Sequence, residues 1–338
     1  MIKAVEANLA GHPDKICDAV VEAVVDEFIR RDHRAHLDIQ ALGSKGVIML
    51  GGAVDSKADF DVTAIAKTAY RAIGYEDELE FFVNLERPEA TLNSGTGAGT
   101  AIVHGFATKE TRELLPRASV YAQMLARKID QLRLNDPDWK WLRPDGKIQL
   151  VMDGEQVKAL TLILSHAPEI EVSTLRTKIL TGVITPILGE CEGAQFYINP
   201  GGEFVKTGFA LNAGVSGRKS LADSYSGLLP HGGGSMVGKD PGRPVRAGMF
   251  MARYVARQLV KEGVTTQAFV TVVYGLGLAE PIALQALGEA GQELTELIKP
   301  RFDFRIEAIL ERFNLLRPIY ASFVNYGMFG RSDVPWEE

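Results

Sequence analysis

The stretch "KIQLVMDGEQVKALTLIL", residues 147–164, decides the fold class. Its apolar residues alternate through Ile148, Leu150 and Met152. They resume beyond Asp153-Gly154, a dipeptide that favours a tight turn, so the segment reads as a β-hairpin. Helical spacing precedes it over about 118–132 and follows it over about 172–187. A short strand, "AQFYINP" (194–200), comes next. The unit is therefore helix, hairpin, helix, strand.

The same order recurs on both sides. Upstream, Ile16, Val20, Val24 and Phe28 mark a helix over Pro13–Arg31. "HLDIQAL" and "GVIMLGGAV" form a hairpin through "GSKG" (43–46). A helix carrying Val62, Ile65, Ala69 and Ile73 leads to the strand "LEFFVN". Downstream come the helix "AGMFMARYVARQLV", the strand pair "QAFVTVVYG" and "PIALQAL", and helices through "RFDFRIEAILERF". The reading is α+β: three related α+β domains with pseudo-threefold symmetry, each a sheet covered on one face by helices. Their spacings, about 100 and 130 residues, are too irregular for a solenoid and fit triplication of one module. The expected segments are 1–90, 112–206 and 207–336, with the physical domains interleaved.

Composition narrows the class. The chain has 338 residues, 46 % of them hydrophobic, enough for a sizeable core. A formal charge of -6 argues against a nucleic-acid partner. Two cysteines, Cys17 and Cys191, favour a reduced compartment. No apolar run approaches a membrane span, and the N-terminus has no signal-peptide core. These features predict a soluble cytoplasmic protein with no membrane partner.

Three loop stretches carry phosphate chemistry. "HGGGSMVGKDP" (231–241) almost spells a P-loop, but Asp240 stands where Ser or Thr must reach magnesium. The Walker reading is rejected, while glycine-rich backbone beside Lys239 still suits phosphate oxygens. In "GHPDK" (11–15), Pro13 opens a helix. His12, Lys15 and the helix N-terminus attract an anion there, and Asp14 suits a divalent cation against phosphate. "GVSGRKS" (214–220) offers Arg218 and Lys219, and "WLRPDGK" offers Asp145 and Lys147 beside a turn. Taken singly, each is equally a capped helix start or a solvated loop. Together the five basic side chains point to a nucleoside triphosphate.

These residues, in this order, resemble the S-adenosylmethionine synthetases. The blocks are "GHPDKICD", "WLRPDGK", "NPGGEFV", "GVSGRKSLADSYSG", "HGGGSMVGKDP", "ARYVA" and "YGMFGRSDVPWE", covering nearly the whole chain. The resemblance implies three interleaved α+β domains and active sites between two subunits of a homodimer or homotetramer. It implies ATP and L-methionine as substrates, with release of pyrophosphate and phosphate, and at least one Mg2+. It would place His12 at the breaking C5′–O bond. Lys147, Arg218, Lys219 and Lys239 would lie on the tripolyphosphate, Asp14 on magnesium, Asp145 at the nucleoside and Phe204 against the adenine.

The departures cluster on acids. Ala10, Ala53 and Asn212 replace family acids, and Gly99 or Thr100 replaces an aspartate that ends the family's mobile loop. That loop looks several residues shorter here. Val245 falls where a magnesium-binding aspartate is expected, while Arg243 takes a lysine position and counts with the ATP-binding cations. Glu86 loosely aligns with a family glutamine. Gln40 replaces a glutamate that the family associates with potassium, which argues against K+ here. Loss of carboxylates should weaken the hold on a methionine ammonium, because an unpaired buried cation is costly. Three readings result: a methionine adenosyltransferase, a transferase for another thioether or nucleophile, and a nucleotide-binding partner of an active paralogue.

Overall fold

The structure is a computed structural model and describes residues 2–87 and 99–338. The first unit runs β1 (Ile2–Asn8), α1 (Pro13–Arg31), β2 (His36–Ser44), β3 (Val47–Asp55), α2 (Val62–Ile73) and β4 (Glu80–Glu86). The second runs β5 (Ala101–Thr108), α3 (Arg117–Asn135), β6 (Leu142–Asp153), β7 (Gln156–His166), α4 (Val172–Ile179), α5 (Thr185–Leu188) and β8 (Gln195–Ile198). The third runs β9 (Gly214–Val215), α6 (Ser220–Tyr225), α7 (Pro244–Lys261), β10 (Gln267–Tyr274), β11 (Ala283–Leu287), α8 (Thr295–Ile298) and α9 (Ile306–Phe313).

Each unit opens with a strand that it gives away. β1 pairs with β6 of the second unit, β5 with β10 of the third, and β9 with β2 of the first, all antiparallel. The three sheets are β1-β6-β7-β8, β5-β10-β11 and β9-β2-β3-β4. In the first two units the chain leaves the hairpin through helices and returns parallel to it, β4 beside β3 and β8 beside β7. Every sheet thus draws strands from distant stretches of sequence. A cut at 90 or 207 would part each sheet from one of its strands.

The long helices follow the same rule. α1 packs on β2 and β9, α3 on β1 and β6, and α7 on β5 and β10. α1 begins where Pro13 fixes φ for the first turn and the His12 ring accepts from the Asp14 N–H. Ile16, Val20 and Val24 are fully buried, and so are Cys17, Val21 and Val25 one position on, because α2 covers the helix from the other side. The helix expected over 172–187 is interrupted by a π-helical turn at Leu180–Ile184. Pro186 has no N–H to donate backward, so the preceding turn widens. The first and third units share one apolar core, and the second has its own. No helix among the described residues is long and apolar enough to cross a membrane.

Candidate functional site

The site forms where the three exchanged strands leave their partners. β1 ends at Asn8, opposite Lys147 on β6. The chain then turns through Gly11, whose N–H donates to the Pro144 carbonyl at 2.9 Å. A Cβ on Gly11 would lie 2.5 Å from Pro144, so glycine is required for the "GHPDK" and "RPDGK" loops to touch. Gly214 serves the same purpose on the other side. A Cβ there would lie 2.0 Å from the Pro13 carbonyl oxygen. This approach lets the Val215 N–H donate to Asp14 Oδ1 at 3.0 Å and brings Arg218 and Lys219 over the start of α1.

Two carboxylates sit at the centre. Lys147 Nζ lies 2.6 Å from Glu6 Oε2, and Lys219 Nζ lies 3.9 Å from Glu6 Oε1. Arg218 Nη2 lies 2.7 Å from Asp14 Oδ1 and Lys219 Nζ 3.6 Å from Asp14 Oδ2. His12 Nδ1 is 3.8 Å from the same Oδ2. Three cations therefore face two carboxylates. Burial first, and then the Lys219 charge, hold the His12 imidazole down at about 4, so it is neutral at pH 7. A cleft of about 560 Å³ opens beside Arg218 and Lys219 on the outer face of the β1-β6-β7-β8 sheet.

Asp145 and Phe204 form an adjoining lip. Burial pushes the Asp145 carboxyl up to about 6, partly offset by the Gly208 N–H, which donates to Oδ2 at 2.9 Å. Phe204 is half-buried, and its N–H donates to His166 Nε2 at 3.1 Å.

The remaining predicted residues lie elsewhere. Lys15 points away from the cluster and is 1 % exposed, its Nζ 2.9 Å from Asp18 Oδ2 and 2.6 Å from Asp223 Oδ2. Burial works against its charge, but the two carboxylates outweigh burial and raise its pKa. The glycine-rich stretch 231–241 does not hold an open cradle. The Gly238 N–H donates to Glu22, its carbonyl accepts from Ile39, and the Asp240 N–H donates to the Leu37 carbonyl. These groups clip the stretch to β2. Lys239 pairs with Asp38 at 2.7 Å and Arg243 with Asp240 at 3.3 Å.

Glu6 was not among the predicted residues, and only the β1–β6 pairing reveals it. Asp38 is the second such residue. It is the register partner of Ala53, whose other neighbour across the sheet is Glu86, so both acids lie on the face of Ala53. Gln40 hydrogen-bonds to Asp38 and Ser216. Val245 is buried in the first turn of α7, and the Ala10 N–H donates to Asp130. The shortened loop read from the sequence falls mostly on residues 88–98, outside the described residues.

No group of three or more potential protein metal ligands forms among the described residues. Asp14 Oδ2 is nevertheless buried with no hydrogen-bond partner. One carboxylate oxygen is an adequate protein share for magnesium, which takes its other ligands from phosphate and water.

Comparison with known proteins places these features. The models of the N-terminal, central and C-terminal domains of S-adenosylmethionine synthetase match residues 1–92, 95–204 and 207–338. The chain is 32 % identical over 366 residues to the S-adenosylmethionine synthase of Sorangium cellulosum (strain So ce56), covering 98 % of this chain and 86 % of that protein. It is also 32 % identical over 373 residues to the S-adenosylmethionine synthase of Desulforudis audaxviator (strain MP104C), covering 98 % and 94 %.

Proposed function

The chain belongs to the S-adenosylmethionine synthetase family, and on that premise we propose that it is a methionine adenosyltransferase, forming S-adenosylmethionine from ATP and L-methionine with release of pyrophosphate and phosphate. The observation that carries the reading is the meeting of His12, Asp14, Lys147, Arg218 and Lys219, drawn from three distant parts of the chain.

A thioether sulfur is neutral and nucleophilic and needs no base. The demands are alignment with the ribose C5′ and stabilisation of charge on the departing tripolyphosphate. Lys147, Arg218 and Lys219 turn from Glu6 and Asp14 to the phosphate oxygens when the triphosphate enters. Neutral His12 stands at the breaking C5′–O bond as a hydrogen-bond donor. Asp145 and Phe204 hold the nucleoside. Asp14 Oδ2 would hold magnesium, which neutralises phosphate charge when bound. Potassium has no part in the proposal, since Gln40 supplies no charge.

Lys239 and Arg243 join the site through a homodimer. Its support is the row of apolar side chains across the exposed face of the β9-β2-β3-β4 sheet. Leu42, Met49 and Phe82 are cross-strand neighbours there, exposed by 51, 46 and 55 %. Such a row is a contact surface. Asp38 then answers the missing acid at position 53. It stands one strand over on the same face and offers a carboxylate to the substrate ammonium. The two free cysteines, Cys17 and Cys191, accord with a cytoplasmic setting.

The test is incubation of the purified chain with ATP, magnesium and methionine, followed by mass spectrometry of nucleoside and phosphate products. S-adenosylmethionine with pyrophosphate and phosphate is expected. Ala53 and the other lost acids favour a second reading, transfer to a different thioether. A product formed from another thioether but not from saturating methionine selects that reading. No turnover with any thioether leaves a nucleotide-binding partner role.

A further inference from the structure

A second concentration of positive charge lies on the far side of α3, away from β1 and β6. A groove of about 840 Å³ runs between α3 and the C-terminal segment around 330–337, with Arg257 of α7 at one wall. That volume is within the usual range for small-ligand sites. Its acids are already committed. Asp333 is held by Arg331 at 2.6 Å, and Glu337 by Arg253 at 2.7 Å and Arg257 at 3.3 Å. Two cations remain, Arg127 and Lys128, adjacent on α3 and both half-buried. Neither makes an ion pair or hydrogen bond among the described residues. Burial and the neighbouring Arg331 both disfavour the Arg127 charge. Gln123, one turn earlier and 7 % exposed, lines the groove, and its side-chain nitrogen lacks a partner.

A half-buried arginine beside a lysine, with no carboxylate left for either, is an unsatisfied arrangement that an anion resolves. We propose that this groove binds a small phosphate-bearing anion, held by Arg127 and Lys128 apart from the catalytic cluster. The charge of two or more on pyrophosphate or a nucleotide tail matches two adjacent cations. The groove is large enough to hold more than a single phosphate. It touches the site only through α3, where Asp130 accepts from the Ala10 N–H and from the Tyr326 hydroxyl.

The experiment is calorimetric titration of the full chain with inorganic pyrophosphate, inorganic phosphate and ATP, with no methionine present. Two classes of pyrophosphate site are expected. The Arg127→Gln/Lys128→Gln variant loses one class, or weakens it roughly tenfold or more. A Lys147→Gln/Lys219→Gln variant loses the other. The ATP and phosphate arms decide whether the groove takes a nucleotide tail or free inorganic anion. The proposal is overturned if the groove variant keeps full stoichiometry and affinity, or if the Lys147/Lys219 variant abolishes all binding. Lys128→Glu, a change at a half-exposed side chain, supplies the same comparison if the double variant is unstable. The readout needs no turnover, so it stands or falls independently of the proposed reaction.

Discussion

Asp14 and Lys15 are adjacent in sequence and meet opposite fates. Asp14 faces the cluster of Arg218, Lys219 and His12, at the edge of an open cleft. Lys15 turns inward and closes a buried triad with Asp18 and Asp223. One cluster leaves three cations against two carboxylates, partly exposed and ready to exchange partners. The other has two carboxylates on one lysine and no solvent. The difference shows that the charged motif at the start of α1 does two jobs. Its outward half is placed for a ligand, and its inward half fastens α1 to α6.

The largest expected effect tests the inward half. Lys15→Ala leaves Asp18 and Asp223 buried without their cation, a change that typically costs about 3–5 kcal/mol. Equilibrium denaturation should show that loss. A variant as stable as the parent would mean that the triad is dispensable and would erase the contrast.

The outward half should respond in the other currency. Lys219→Ala removes a cation aimed at the leaving group, and the expected loss in kcat is roughly 10²–10³-fold. Its thermal midpoint should move little, because Glu6 and Asp14 each keep another cation, Lys147 and Arg218. Full activity with a large drop in stability would make this cluster structural as well.

How much of this contrast was legible in the sequence follows from distance along the chain. α1 was readable because its apolar spacing and Pro13 are local signals, and the hairpins because alternation and turn residues adjoin. β1, β5 and β9 were not. Each is given to another unit's sheet, so its partner lies in another repeat, and β9 has only two residues. The cations Lys147, Arg218 and Lys219 stood out beside glycines and turns. Glu6 did not, since an acid in a short alternating segment looks solvated until β1 pairs with β6. Lys15 was read as a phosphate ligand because its true partner, Asp223, is 208 residues away. In 231–241, the glycines marked a close approach correctly, but to β2 rather than to a ligand.

A third test concerns pH. The folded His12 pKa is depressed from 6.5 to about 4, so the unfolded chain binds more protons there between those values. The associated stability is complete above pH 6.5 and is lost as pH falls toward 4. The shift sets an upper bound of about 3 kcal/mol. His12→Asn should flatten that part of the stability profile relative to the parent, with the difference read from paired denaturation series at pH 7.5 and 4.5. Identical slopes in the two proteins would mean that the ring is not desolvated.

The smallest expected effect sharpens the outward half where the sequence departs from its family. Ala53 cannot hold an ammonium, and Asp38 is its partner across the β2–β3 ladder, 37 % exposed and paired with Lys239. Neighbouring strands lie about 5 Å apart, so a carboxylate on Asp38 reaches the space above Ala53. Asp38→Asn keeps the shape and removes the charge. KM for methionine should rise roughly tenfold, the scale of one partly exposed charge contact, while KM for ATP stays put. Asp38→Asn/Ala53→Glu should restore it, because the second change returns a carboxylate to the same face one strand away. Restoration separates a charge requirement from damage to the sheet, which a glutamate at position 53 would not repair. A rise in both KM values would instead assign Asp38 to holding Lys239 for the triphosphate.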